Sequence, residues 1–289
     1  MLELKGLPVV NKLIEDFAAK IKILKENNII AKLAVVRVGE RDEDISYEKS
    51  ILKRLSAVNT NNIKAETIVL PSDVSQTELE ETIILLNRDD SVHGIILFRP
   101  LPEHLSQERI KFIISEEKDV DCMGISNTAY LFEGKENCYA PCTPQAVIET
   151  LDYYGIDVSG KKTAIIGRSL VVGKPLAMLL LAKNATVTIC HTKTSNLADE
   201  CRRADILIAC AGVPKMITSG FINPNRNQII IDVGINMADG RICGDVDYDS
   251  VADTVKAITP VPGGIGTVTT SVLLKHTLNS AVKKYLNKK

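Results

Sequence analysis

Apolar positions along this chain follow two patterns, a helical spacing of about 3.6 residues and short unbroken runs bounded by turn formers. Val10, Leu13, Ile14, Phe17 and Ile21 share one helical face, which predicts a helix over 8–27. Lys32–Val38 reads as a strand ended by Gly39, followed by a helix around 44–58 and a polar, Asn-rich turn at 59–62. A strand Ala65–Leu70 stops at Pro71, a helix spans Ser75–Asn87, and a third strand, Val92–Leu97, ends in the Pro100-Leu101-Pro102 turn. After Pro141 and Pro144 the alternation restarts. Strands are expected at Lys162–Gly167, Ala185–Cys190, Ala204–Cys210, Gln228–Val233 and Ala257–Val261, with a helix at about Lys174–Lys183 and a final one from Thr269 to Leu286. Runs such as Ala204–Cys210 are apolar enough to be buried on both faces, as in a parallel sheet. The fold class is therefore α/β with two domains, and the break falls near 137–144.

Composition narrows the function classes. The 289 residues suit two domains rather than one. A net charge of −1, with acidic and basic residues interspersed, gives no field for nucleic acid or membrane. Trp is absent and aromatics are 4%, too few for a base-stacking surface. No apolar run reaches the ~20 residues of a membrane span, and residues 1–8 have no signal-peptide pattern. The seven cysteines form no Cys-x-x-Cys pair and no zinc spacing, so no metal is expected and reduced thiols in a cytosolic protein are.

One segment carries chemistry. Gly167, Arg168, Ser169, Val172, Gly173 and Pro175 lie between a strand and a helix, the phosphate-binding position of a Rossmann unit. Gly167 allows a sharp turn, Gly173 a close backbone approach, and Pro175 fits a first helical turn. The spacing is not G-x-G-x-x-G, so alone it fits many α/β proteins. The next strand ends Cys190-His191-Thr192-Lys193-Thr194 without the acid that binds ribose hydroxyls in NAD sites. Arg168 and Lys193 suit a 2′-phosphate, which favours NADP over NAD; the other reading makes them solvated loop charges.

Taken together, the motifs resemble the bifunctional methylenetetrahydrofolate dehydrogenase/cyclohydrolase family along nearly the whole chain. They are the Gly167–Pro175 turn, Cys190–Thr194, Ile231–Asn236, Thr259–Gly266, Lys118-Asp-Val-Asp121, Pro141–Pro144 and Gly94–Pro102. The resemblance implies an N-terminal α/β folate domain, 1–140, completed by a C-terminal helix over 269–289. A Rossmann-type NAD(P)-binding domain with a parallel sheet would occupy 141–268, with a cleft between the two. It implies a homodimer paired through the Rossmann domains, and oxidation of the one-carbon bridge of methylenetetrahydrofolate. Folate would meet Tyr47, Leu101, Asp121, Pro262, Gly263 and Gly264; NADP would meet the Gly167–Gly173 turn, His191, Thr192, Lys193, Thr194, Ala211, Gly212 and Ile235. A carboxylate such as Asp121 matches the adjacent ring N–H and amino group of a pterin in bidentate fashion. Tyr47 would stack on the pterin or its linker.

The chain also departs from that pattern. Where the family places a catalytic lysine, four residues after the tyrosine, stands Ile51. Lys53 lies two helical residues on, turned by about 200°; if the longer 56–62 loop shifts the alignment, Arg54 takes the place instead. Phe98 replaces the glutamine beside that lysine, Arg99 an apolar residue, Cys122 and Ala146 glycines, and Thr267 a common proline. Hydride transfer needs positioning but no protein acid or base, whereas hydration of the methenyl carbon needs proton transfer. The expectation is a dehydrogenase with weak or absent cyclohydrolase activity. The rivals are a fully bifunctional enzyme using Arg54 or Lys53, a non-catalytic folate- or nucleotide-binding protein, and a Rossmann dehydrogenase for another small substrate.

Overall fold

The computed structural model describes residues 1–135, 138–225, 227–238 and 240–286. In chain order the elements are β1 (Leu2–Glu3), α1 (Gly6–Glu26), β2 (Ala31–Val38), α2 (Asp42–Val58), β3 (Ile63–Leu70), α3 (Gln76–Arg88), β4 (Gly94–Leu97), α4 (Gln107–Lys111), α5 (Ile125–Phe132) and α6 (Cys142–Tyr153). They continue with β5 (Lys162–Ile166), α7 (Gly173–Ala182), β6 (Thr186–Cys190), α8 (Leu197–Arg203), β7 (Ile206–Ala209) and β8 (Ile229–Asp232). The last are β9 (Asn236–Ala238), β10 (Arg241–Cys243), α9 (Tyr248–Val251), β11 (Ala257–Ile258) and α10 (Ile265–Leu286). Residues 287–289, the end of the expected 269–289 helix, and residue 137 of the expected break lie outside the described residues.

The chain forms two compact units. One holds Lys12–Cys142 and the chain from Thr270 on, around a three-stranded parallel sheet ordered β3-β2-β4. Its core is built by Ala34, Val36, Leu79, Ile83, Ile95 and Leu97, the inward positions of β2, α3 and β4. Helix α3 starts where the sequence signals it. Ser75 Oγ accepts the Glu78 amide at 3.2 Å, and the Glu78 carboxylate accepts the Ser75 amide at 3.0 Å, a reciprocal capping box.

The other unit holds Met1–Asn11 and Thr143–Thr269. Its sheet is ordered β1-β11-β8-β7-β5-β6 with parallel pairings throughout. Ile166, Leu207, Ala209, Ile230 and Ile258 fill its core. From β5 the chain steps outward to β6 and then returns to β7 on the other side, so the strand order reverses between β5 and β7. Such a reversal opens a ligand crevice at the carboxyl ends of the strands.

The expected domain limit of 1–140 needs one correction. Residues 1–11 go with the six-stranded unit, because the Leu2 and Leu4 amides donate to the Lys256 and Ile258 carbonyls at 2.8 Å each, adding β1 as its edge strand. A strand of two residues has no periodicity to read. The last helix starts at Ile265 rather than Thr269, and the β9–β10 hairpin and α4–α6 are additional to the expected elements.

Candidate functional site

In the three-stranded unit, the residues expected to meet folate come from α2, the end of β4 and the turn at Asp121. The Lys118-Asp-Val-Asp121 motif divides its labour. Lys118 is buried, and its ammonium donates to the carbonyls of Leu86, Asn87 and Asp89 at 2.9, 2.7 and 2.7 Å, closing the C-terminal end of α3. Asp119 is fully buried and accepts the amides of Met123 and Gly124 at 2.8 and 2.9 Å and the Asn127 side chain at 3.0 Å. Burial pushes its carboxyl above the usual range, against the pull of those donors. His276 of α10 donates to the Val120 carbonyl at 2.9 Å. Three anchors thus fix the turn that carries Asp121.

Both oxygens of Asp121 are hydrogen-bonded. Oδ1 accepts the Cys142 amide at 2.9 Å, and Oδ2 meets Arg99 Nη2 at 3.1 Å in an ion pair whose side chains are only 16% and 19% exposed. Each carboxylate oxygen accepts more than one hydrogen bond, so capacity remains for a ligand. Cys122 takes φ 54°, a left-handed conformation, which is the physical reason a glycine suits that position.

Tyr47 is half-buried, and its ring centroid lies 5.3 Å from that of Phe98 with planes tilted by 47°. Arg41 at the start of α2 donates to the Pro100 carbonyl at 2.8 Å, tying the helix to the 98–102 loop. Leu101 is half-buried against the sheet core. Four residues after Tyr47, Ile51 has no exposed surface, while Lys49 and Lys53 are exposed. Arg54 faces inward, is half-buried, and places Nε 3.4 Å from Thr270 Oγ1 of α10. Burial lowers its guanidinium pKa. Seven helical residues separate it from Tyr47, about 10 Å along the axis.

In the six-stranded unit, the expected cofactor residues sit at the carboxyl edge around the β5/β7 reversal. Gly167 has φ 133°, and a Cβ there would lie 2.3 Å from the Cys210 carbonyl oxygen; one on Gly173 would lie 2.1 Å from the Gly167 oxygen. The two glycines therefore let the turn fold onto itself and onto the end of β7. Ser169 Oγ accepts the Val172 amide at 3.0 Å, and α7 begins at Gly173 with Pro175 in its first turn. After β6, Thr194 Oγ1 accepts the His191 amide at 2.8 Å and His191 Nδ1 the Lys193 amide at 3.1 Å. His191 and Thr194 thus shape the turn, while Arg168, Thr192 and Lys193 are exposed. Ala211 and Gly212 follow β7, and Ile235, 67% exposed, follows β8. The Pro262-Gly263-Gly264 loop also belongs to this unit. Gly264 packs on the Pro260 carbonyl, and the Gly6 amide donates to the Gly263 oxygen at 2.8 Å, whereas a Cβ on Gly263 (φ 103°) would come no closer than 3.9 Å, to Pro260 Cγ.

Sequence reading missed two groups: Arg99, noted only as a departure, which pairs Asp121, and Asp245, whose carboxylate holds the loop after β7. The signal for Asp245 lay in the Gly234 of Ile231–Asn236, because a Cβ there would lie 2.2 Å from Asp245 Oδ1.

Residues 4–121 match the tetrahydrofolate dehydrogenase/cyclohydrolase catalytic domain, and residues 141–285 match the NAD(P)-binding domain of the same family. The chain is 46% identical to the bifunctional protein FolD of Clostridioides difficile (strain 630) over 278 residues, 96% of this chain and 95% of that one. The crystal structure of FolD methylenetetrahydrofolate dehydrogenase/cyclohydrolase from Campylobacter jejuni superposes with TM-score 0.93 at 39% identity, covering 98% of this chain and 99% of that one. The Trypanosoma brucei enzyme, crystallised with NADP cofactor and inhibitor, gives TM-score 0.91 at 31% identity, with coverage of 99% and 98%. With both domain families matched in order and an acid-bearing turn and a nucleotide turn in place, the chain belongs to the tetrahydrofolate dehydrogenase/cyclohydrolase family.

Proposed function

We propose that this protein is an NADP-dependent methylenetetrahydrofolate dehydrogenase whose cyclohydrolase activity is weak or absent. The observation that carries the second half is Ile51, fully buried four residues after Tyr47. A buried isobutyl-sized side chain neither takes nor gives a proton, and Phe98 beside Tyr47 has no hydrogen-bonding atom.

The nucleotide edge fits the cofactor. A glycine turn that tolerates no Cβ, the start of α7, and exposed Arg168, Thr192 and Lys193 match a pyrophosphate and a 2′-phosphate in kind. When bound, the nicotinamide supplies the hydride acceptor. The chain's residues do the remaining work. Asp121 receives the pterin's adjacent N–H and amino donors and fixes its orientation, with Arg99 and the Cys142 amide holding the carboxylate still. Tyr47 offers its ring face. No group has to hold a proton for this step, so loss of the lysine leaves it intact.

A second reading is full bifunctionality. It is supported by the name of the Clostridioides relative and by Arg54, a half-buried guanidinium with lowered pKa on the inward face of α2. Steady-state assays with methylenetetrahydrofolate, in parallel with NADP and NAD, and hydrolysis of methenyltetrahydrofolate separate the two. Turnover with NADP and hydrolysis at the solvent rate are expected. Hydrolysis well above that rate establishes the second reading; no turnover with either nucleotide overturns the first.

We also infer a homodimer paired through the six-stranded unit and a cytosolic setting. Strand β6 has one sheet partner among the described residues and exposes Ile189. All seven cysteines are free, and burial pushes the Cys201 and Cys210 thiols up to about 12. Light scattering after gel filtration tests the dimer.

A further inference from the structure

Two buried carboxylates of the six-stranded unit are not used by the chemistry above, and they interlock. Asp245 has no exposed surface and Asp232 only 3%. Asp245 Oδ2 accepts the amides of Ala211 and Gly212 at 2.5 and 3.0 Å, and Oδ1 accepts the Val213 amide at 3.0 Å and Asn236 Nδ2 at 2.8 Å. Four donors fill a carboxylate's ordinary capacity, so this side chain is wholly committed to three backbone amides and the Asn236 side chain. Asp232, at the end of β8, does the same one layer behind. Its Oδ1 accepts the Asp245 and Gly234 amides at 3.0 Å each, and its Oδ2 the Val246 amide at 2.9 Å.

Glycines make room for both groups. A Cβ on Gly234 would lie 2.2 Å from Asp245 Oδ1, and one on Gly244 would lie 1.8 Å from Asp232 Oδ2. Burial pushes Asp232 up to about 7, and Asp245 adds to the rise.

What Asp245 holds is specific. Ala211–Val213 is the loop leaving β7, next to the Gly167 turn through the Cys210 backbone. Asn236 directly follows Ile235 and opens β9, at the end of the loop leaving β8. Both loops lie at the carboxyl edge, where the expected contacts Ala211, Gly212 and Ile235 sit. A loop with three successive amides aimed inward at one acceptor presents its opposite face outward in a fixed shape.

We propose that Asp245 is a positioning residue for the dinucleotide: it joins the 211–213 and 234–236 loops and sets the surface on which the cofactor is read, without touching it. This rests on the NADP-dependent reading above. Asn at this position keeps the size but turns one acceptor into a donor facing N–H groups, so one pair of loop contacts is lost.

The experiment measures NADP binding by calorimetry, KM for both substrates, and hydrogen exchange of the 211–213 amides, in the wild type, Asp245→Asn, Asn236→Ala and the exposed-site control Asp249→Asn. In the wild type, slow exchange at 211–213 is expected without cofactor. D245N should weaken NADP binding about tenfold or more, the loss of one charge-assisted hydrogen bond, and speed that exchange, with folate KM within about twofold. N236A, which removes one of four bonds, should show a smaller shift in the same direction, and D249N none. Fast exchange in the wild type, or D245N and N236A folded with unchanged NADP affinity, overturns the proposal. A merely structural role would lower the active fraction and move both KM values or neither. If the wild type itself binds no NADP, the underlying reading fails instead, and the exchange data still report on the lock.

Discussion

The proposed loss of proton-transfer chemistry is testable by restoring it. The perturbation is Ile51→Lys with Phe98→Gln. Ile51 is fully buried and Phe98 is 6% exposed, so both changes place polar atoms where apolar surface is packed. Losing most of the burial of one isoleucine and one phenylalanine costs about 4 kcal/mol, and desolvating an amine and an amide adds about 2 kcal/mol, for a total of roughly 6 kcal/mol. A protein in the middle or upper part of the ordinary range of about 5–15 kcal/mol survives that at room temperature with a lowered melting point. The same desolvation drives the new lysine's pKa down, which is what a proton carrier near neutral pH requires. A positioned base contributes ~10²–10⁴-fold, so methenyltetrahydrofolate hydrolysis, followed by loss of its absorbance, should rise by that factor over the wild type. Dehydrogenase kcat/KM should stay within about threefold, since hydride transfer never used the lysine. A folded double variant that dehydrogenates normally but hydrolyses no faster would refute the reasoning, and so would a wild type that already hydrolyses rapidly.

Three further outcomes follow from the geometry. Arg168→Gln combined with Lys193→Asp alters only exposed side chains, so stability should change by less than about 0.5 kcal/mol while the NADP-over-NAD preference falls by roughly tenfold or more; an unchanged ratio in steady-state assays removes both residues from the 2′-phosphate. Lys118→Met leaves the carbonyls of Leu86, Asn87 and Asp89 without their shared donor and should cost about 2–4 kcal/mol in urea unfolding, where a loss below about 0.5 kcal/mol contradicts the capping role. His93 is 6% exposed, accepts the Lys32 amide through Nδ1, and is held down to about 4 by burial first, then by Lys284 and Lys118, against Ser91 and Asp89. Because its folded pKa lies below the unfolded value of about 6.5, its contribution is complete above that pH and is lost as pH falls towards 4, by up to roughly 3 kcal/mol. His93→Gln should flatten that acid limb, and an identical pH slope in both proteins rejects the assignment.

The alternation of strands and helices was readable because both larger sheets are parallel and strands such as β7 and β4 are apolar throughout. Ile206–Ala209 is fully buried, and β4 is buried at every position, leaving no ambiguity of register. Helical spacing of Leu79, Ile83 and Leu86 placed α3 to within a residue at each end, and the structure adds the capping box of Ser75 and Glu78 at its start. What stayed hidden was encoded elsewhere. Strand β1 exists only because β11 offers it an edge, and the β9–β10 hairpin is three residues on each side, too short for a period to emerge. The early start of α10 at Ile265 passes through Gly266, which local propensity disfavours and tertiary packing overrides.

The candidate site was legible in its ligand-facing residues and opaque in its supports. Asp121 stood out as an acid in a motif, but Lys118 and Asp119 beside it are buried anchors of the same turn, and nothing in their spacing separates the three roles. Arg99 was visible only as an oddity until its guanidinium was found on Asp121. Seen in place, the departures from the family pattern are not independent. Removing a lysine and keeping its glutamine would leave a polar amide beside Tyr47 with one partner fewer; Phe98 instead puts a ring 5.3 Å from that tyrosine, and Ile51 fills the helix face completely. An arginine in the same loop would be costly half-buried and unpaired, yet its Nη2 lies 3.1 Å from Asp121, the acid expected to meet the pterin. Ile51 and Phe98 therefore fill the lysine and glutamine positions with packed apolar side chains, which is the arrangement the proposed dehydrogenase-only reading requires.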